Sequence, residues 1–372
     1  MQVPFYTSTR EYHDRKAEFD KAIQEVLEKG DFILGSAVSE FENEVKAYTK
    51  SKHALGVANG SDALVLASDI CELKTGTEVL TPVFTFFAST SCFVRLGAKP
   101  NFVDVDEETF LMDLHQAESR ITKNTRGILP VHLFTQMVDM TRCMDIAKKH
   151  GLSVIEDAAE AFGMEQKYQG EWKAAGCIGD FGVYSFFPTK TLGGYGDGGM
   201  ITTQSDEYFA KAKSLRVHGT TVKYYHDYVG YNSRLDTLQA AILRVKLQKI
   251  DEGIEKRLSH ANLYRELLKD IDAIKLPVIK GENKPVYYVF TIKAEKRDEL
   301  AEYLKNAGVG TSIYYPVPLH LQKCFSDLNH KKGDFPVAEK LCTEVIALPM
   351  YPELTKEEIE YTCEKIRAFY KG

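Results

Sequence analysis

Residues 176–203 read GCIGDFGVYSFFPTKTLGGYGDGGMITT, and the rest of the chain is organised around them. Gly182 to Phe187 is β-branched and aromatic and is fenced by Gly179 and Pro188. Gly199 to Thr203 is a second such run, so two strands are expected with a turn between them. Lys190 lies on that turn, followed by five glycines within residues 193–199. A lysine at the end of a buried strand, beside backbone without side chains, sits where a substrate can approach. An apolar or cation-rich site would lower its pKa and free a neutral amine to attack a carbonyl, as a Schiff-base lysine does. A solvated hairpin lysine fits the same stretch equally well. Residues 194–199 also match the G-x-G-x-x-G dinucleotide pattern, but the match runs into the Met200 to Thr203 strand instead of opening a helix, and we reject it.

Upstream, residues 11–29 carry apolar positions at helical spacing up to Gly30, and a second helix is expected with Ser39 as N-cap. HALGVANGSDALVLASDI (53–70) then reads as strand (Ala54 to Ala58), tight turn (Asn59-Gly60) and a helix from Asp62, with Ser61 as N-cap. Free N–H groups and the positive end of the helix dipole favour a phosphate there, although a well-capped turn needs no ligand. From 77 to 165 strands alternate with helices, which implies a largely parallel sheet covered on both faces. Ligands of such sheets gather at the carboxyl ends of the strands, where Asp157, Phe86 and Lys190 all fall. An acid to face a charged ring nitrogen, a flat ring to stack on, a phosphate cradle and a Schiff-base lysine are together what pyridoxal phosphate requires.

Downstream, helices are expected at 206–216 and from about Leu235 to His260, the latter bridging two domains, 1–245 and 246–372. The polar, aromatic segment 216–236 between them is long for a connection, which marks function or mobility. Strands at 285–293 and 309–315 with helices at 296–307 and 355–370 make the C-terminal domain a smaller α+β unit. Its YYPVPLHLQ (314–322) is either a stacked loop or a pocket wall carrying Tyr314, Tyr315 and His320.

Composition narrows the class. With 44% hydrophobic and 27% charged residues the chain is an ordinary globular one, so disorder is excluded. No apolar run is long enough to span a bilayer, and the first residues lack the apolar core of a signal peptide. A net charge of −6 without a basic run argues against nucleic acid as a partner. Seven cysteines with no CxxC pair indicate neither a disulfide framework nor a metal site, and a cytoplasmic protein is expected.

VANGSDAL, TPVFTFFAST, PVHLF, VIEDAAEAFG, GDFGVYSFFPTKTLGGYGDGG, GYNSRLDTLQAAIL and YYPVPLHLQ resemble, in order and spacing, the nucleotide-sugar aminotransferases of the DegT/StrS family. The resemblance implies the fold type I aminotransferase architecture: a large α/β domain with a mixed, mostly parallel seven-stranded sheet, and a smaller C-terminal domain. It also implies a homodimer with shared active sites. Position by position, Lys190 is the Schiff-base lysine and proton carrier, Asp157 pairs with the pyridine nitrogen, and Phe86 stacks on the ring. Gly60, Ser61, Asp62 and Ser185 hold the phosphate, with Asn232 reaching it from the partner subunit. Tyr314, Tyr315 and His320 fall where the family meets the sugar nucleotide.

Two positions depart from the family pattern. Glu160 stands where Gln or His is usual and would bring a carboxylate towards an anionic phenolic oxygen, so it is expected either to be protonated or to turn away. Thr135 replaces the Gly usual after PVHLF. The GYGDGG form resembles enzymes that aminate C3 of a 3-keto sugar, with L-glutamate as donor. The alternatives are a C4 aminotransferase, an aminocyclitol aminotransferase, a sugar dehydratase, which would carry histidine in place of Lys190, and a non-catalytic regulator.

Overall fold

The alternating segments build one sheet in the computed structural model, which describes residues 1–371. Its seven strands are β1 (His53–Val57), β2 (Glu78–Pro82), β3 (Lys99–Val103), β4 (Thr125–Ile128), β5 (Ser153–Asp157), β6 (Phe181–Ser185) and β7 (Gly199–Thr203). They lie in the order β1-β7-β6-β5-β4-β2-β3. Only β7 runs against its neighbours, β1 and β6. It must, because residues 186–198 return directly alongside β6 without a crossover helix, and a parallel return would need one. The base of that excursion is closed by the Phe186 N–H donating to the Gly198 carbonyl at 2.8 Å. Helices Gly60–Ile70, Ala88–Val94 and Met140–His150 join successive strands and cover the faces, which is why most strand residues are buried and the polar ones gather towards the strand ends.

Several boundaries differ from the sequence reading. The second helix is Ser36–Thr49, so Ser39 lies inside its first turn and donates back to the Ser36 carbonyl, while the Asp31 side chain accepts the Ser36 N–H. Asn59, not Ser61, caps helix Gly60–Ile70, its Oδ1 accepting the Asp62 N–H at 2.8 Å. The long bridging helix is two, Thr237–Leu247 and Ile250–Leu268, broken at Lys249. The signal for that break was charge: Arg244 and Lys246 fill the last turn of one helix, Asp251 and Glu252 the first turn of the next. A hairpin, Glu165–Tyr168 with Glu171–Ala174, was not anticipated, because its left-handed turn pair is Gln169-Gly170 and lacks the usual Asn-Gly signature.

The C-terminal unit has its own core. Strands Ile274–Lys275, Phe290–Ala294 and Val345–Leu348 pair antiparallel, backed by helices Ile250–Leu268, Arg297–Asn306 and Lys356–Lys371. The expected strand at 285–293 is therefore confined to its second half. Residues 309–315 form only single bridges, Val3 with Val309 and Ser312 with Ala347. Along Val345–Leu348 successive residues serve different cores: Val345 and Ala347 join the large one, Ile346 and Leu348 the small one. This strand is the seam between the two. Val3 at the chain's start also packs into the small core. A division of the chain near residue 246 is kept as a proposal.

Candidate active site

The carboxyl ends of β1, β5 and β6 open onto a cavity of about 470 Å³. Its walls bring together Gly60, Ser61, Phe86, Asp157, Glu160, Ser185, Lys190, Tyr314 and Tyr315 from the expected set. These residues lie up to 255 positions apart in sequence, so the sheet order is what assembles them.

Lys190 is buried to 16% exposure, its Nζ 3.2 Å from the Glu160 Oε1 and 4.4 Å from the centre of the Tyr288 ring. Burial acts to lower the ammonium's pKa, but the Glu160 carboxylate, with help from Tyr288 and Asp157, outweighs it and the net shift is upward. The expectation of a lowered pKa is corrected on this point: the neighbour is an anion. Glu160 does not turn away. Its second oxygen accepts the Phe134 N–H at 3.1 Å, so the carboxylate is fixed between a backbone donor and the lysine.

The Thr135 departure has a simple reason. The left-handed residue of this loop is Phe134 (φ +62°), one position earlier, so position 135 needs no glycine. The Thr135 and Phe134 carbonyls accept the N–H groups of Val286 and Tyr288, both at 3.2 Å, and so bring Tyr288 to the lysine.

Asp157 ends β5, 4% exposed. Its Oδ2 accepts from the Ser89 hydroxyl at 2.7 Å and its Oδ1 from the Ala159 N–H at 3.1 Å. Burial pushes its carboxyl above the usual range, against the pull of those two hydrogen bonds. An acid so placed is completed by a cation, which the protonated nitrogen of a pyridine ring would be.

Because Asn59 takes the Asp62 N–H, those of Gly60 and Ser61 have no partner among the described residues. Ser185 stands against this turn: a Cβ on Gly60 would lie 2.8 Å from the Ser185 Cβ. Likewise a Cβ on Gly199 would meet the Asn59 carbonyl carbon at 2.4 Å, which accounts for that glycine without a dinucleotide. Unpartnered donors at a helix start, with a hydroxyl beside them, fit a phosphate. Gly60→Ala is expected to cost about 1–3 kcal/mol of stability by overpacking and to weaken cofactor binding, read by denaturant titration and by the cofactor's absorption. An unchanged affinity would move the phosphate elsewhere.

Three expected residues are not on the wall. Asp62 contributes its N–H to the cap. Asn232 is exposed, at a bridge to Val217 beside the hairpin Thr220–Val222 and Tyr225–His226. His320 is buried with its Nε2 3.1 Å from Glu339, its ring packed on Phe335. Burial lowers its pKa. The loop stacks His320 inward and turns Tyr314 and Tyr315 to the cavity. Sequence reasoning missed Ser89, Tyr288 and Asp197, which also line the cavity. Ser89 was legible as a hydroxyl just beyond the tip of β2; Tyr288 was hidden in an apolar run.

A mostly parallel sheet whose one antiparallel strand is entered from a turn carrying a lysine, with a buried acid at a neighbouring strand's tip, defines an enzyme of the fold type I aminotransferase class. The chain belongs to the DegT/DnrJ/EryC1/StrS aminotransferase family, whose model matches residues 13–367. It is 47% identical over 373 residues to the pleiotropic regulatory protein of Geobacillus stearothermophilus, across 100% of this chain and 99% of the relative. It is 39% identical over 370 residues to the UDP-N-acetyl-3-dehydro-alpha-D-glucosamine 3-aminotransferase of Acidithiobacillus ferrooxidans, across 100% and 98%. Its fold matches the crystal structure of S. venezuelae DesV in complex with a ketimine intermediate, with a TM-score of 0.96 and 36% identity, across 100% of this chain and 99% of that one.

Proposed function

We propose that this aminotransferase uses pyridoxal phosphate to move an amino group from L-glutamate to C3 of a 3-keto, 6-deoxy sugar carried on a nucleoside diphosphate. The observation that carries the reading is the placement of Lys190, Asp157 and the Gly60-Ser61 turn around one cavity. Bound there, the cofactor would supply an electron sink for a carbanion at the amine-bearing carbon. Asp157 would hold the ring-nitrogen proton that keeps the sink effective. Gly60, Ser61 and Ser185 would bind the phosphate, and Phe86 would lie against the ring. Lys190 must shed a proton before its amine attacks, and the Glu160 oxygen 3.2 Å away is in reach to take it. The amine so freed would be the group placed to take up and return a proton during the transfer. Tyr314 and Tyr315 supply the sugar side of the cavity. Attack at C3 is favoured by the 3-aminotransferase among the relatives and by the GYGDGG form.

The name of the Geobacillus relative favours a regulator, but the lysine, acid and cradle would be idle in one. Incubation with L-glutamate and a panel of 3-keto and 4-keto nucleotide sugars separates the readings. Amine at C3 is expected. Amine only at C4 would refute the regiochemistry, and a protein that stays colourless with added cofactor would restore the regulator.

A homodimer with shared sites is part of the proposal. It is supported by the exposed hairpin beside Asn232, where Tyr224 is 81% and Val229 97% exposed. A phosphate that loses a charge-assisted donor loses on the order of 1.5–3 kcal/mol. Asn232→Ala should therefore weaken cofactor affinity about ten- to a hundredfold, by absorption titration. Mixing it with Lys190→Ala protein should restore tight-binding activity at the one site whose lysine and partner asparagine are both intact. Heterodimers without restored activity would place Asn232 in its own chain's site. A cytoplasmic location accords with the seven cysteines, all of them free thiols.

A further inference from the structure

Lys190 is held from two sides, and both sides hang on one residue. On one side the Glu160 Oε1 accepts from the lysine at 3.2 Å. On the other lies the face of Tyr288, with the lysine Nζ 4.4 Å from the ring centre. Phe134, 1% exposed, joins them: its N–H donates to the Glu160 Oε2 at 3.1 Å, and its carbonyl accepts the Tyr288 N–H at 3.2 Å. A bulky residue at φ +62° is uncommon, and such conformations persist where the surroundings fix them and gather at functional sites.

Tyr288, 6% exposed, is fixed at every part. Its N–H is shared between the Phe134 and Val286 carbonyls, at 3.2 and 3.0 Å. Its carbonyl accepts at 3.1 Å from Nη1 of the buried Arg257, which also donates to the Tyr287 and Met350 carbonyls. Its hydroxyl lies 3.1 Å from the Oγ1 of Thr189, the lysine's neighbour in the chain. What remains is the ring face, whose quadrupole is negative and attracts a cation. A carboxylate alone would not define the place of the nitrogen, because an ammonium is a point charge on a flexible four-carbon stem. A ring face on the other side of the ammonium closes the remaining directions.

We propose that Tyr288 is a positioning residue for the lysine: its ring face and the Glu160 carboxylate form a cradle that keeps the Lys190 ammonium at one place on the cavity wall while that nitrogen is not bonded to the cofactor. A proton taken up there waits at a fixed atom, Nζ, until it is returned. This role rests on the reading of Lys190 as the reacting lysine and goes beyond it. The titratable groups that bear on this nitrogen are Glu160 and Asp157 from the end of β5, Tyr288 and Tyr314.

The test uses the full chain freed of cofactor. Lys190 is labelled with acetic anhydride, and peptide mapping compares its uptake with that of exposed lysines at the same pH. Only a neutral amine takes the label, so the ratio follows the fraction of Lys190 that has lost its proton. Tyr288→Phe keeps the face and should label within about twofold of wild type. Tyr288→Leu removes the face, and uptake should rise about tenfold. Tyr288→Phe bearing successive ring fluorines keeps the shape but drains charge from the face, so uptake should climb with each fluorine. That series decides the matter where the leucine variant fails to fold. A flat fluorine series, unchanged uptake in folded leucine variant, or a rise in the plain phenylalanine variant as large as in leucine would overturn the cradle. If borohydride mapping places the cofactor on another lysine, the reading of Lys190 fails instead, and the labelling still decides whether Tyr288 holds its ammonium.

Discussion

Lys190→Arg is expected to fold, bind the cofactor weakly and reversibly, and lose more than about four orders of magnitude in turnover, roughly 5 kcal/mol or more of barrier. A guanidinium stays protonated and cannot supply a nucleophilic amine. It does keep a cation beside Glu160. Lys190→Ala should lose turnover as completely but stand less firmly, because Glu160 is 7% exposed and would be left with the Phe134 N–H as its only donor. Removing one partner of a buried pair costs about 3–5 kcal/mol, lessened here by the open cavity that admits water. The pair of variants separates chemistry from stability. Denaturant midpoints should fall for alanine and hold for arginine, while single-turnover amino transfer vanishes in both. Turnover surviving in the arginine variant would remove Lys190 from the chemistry.

Asp157→Asn should leave the fold and cofactor binding nearly intact. The replacement is isosteric, and both hydrogen bonds, from Ser89 and from the Ala159 N–H, can be kept by the amide oxygen and a turned hydroxyl. What is lost is charge. A neutral amide cannot hold a proton on the ring nitrogen, so the electron sink weakens and several orders of magnitude in rate should go, roughly 4–7 kcal/mol. The cofactor's absorption should change its pH dependence in the same variant, which a merely structural role for Asp157 would not cause. A rate near wild type would assign the task to another acid.

The sheet was legible because each parallel strand is a short apolar run ended by Gly, Pro or a polar tip, and the β6–β7 pair was legible from its glycines. The C-terminal unit was read less well. Its strand Val345–Leu348 follows a helix directly, with nothing between them to mark a boundary. The single bridges at Val309 and Ser312 depend on partners far away in sequence, which no local pattern records. In the site, Asp157, Phe86 and Lys190 could be found because each sits at or just past the end of a strand. Two things could not. His320 turns inward because Glu339 and Phe335 await it, a tertiary fact. The lysine's raised pKa follows from Glu160 reaching it across the fold, from 30 residues away.

Reduction of the wild-type protein with borohydride in the presence of pyridoxal phosphate, followed by peptide mapping, tests the central claim most directly. A single cofactor adduct on the peptide carrying Lys190 is expected. An adduct on any other lysine, or none, would contradict it.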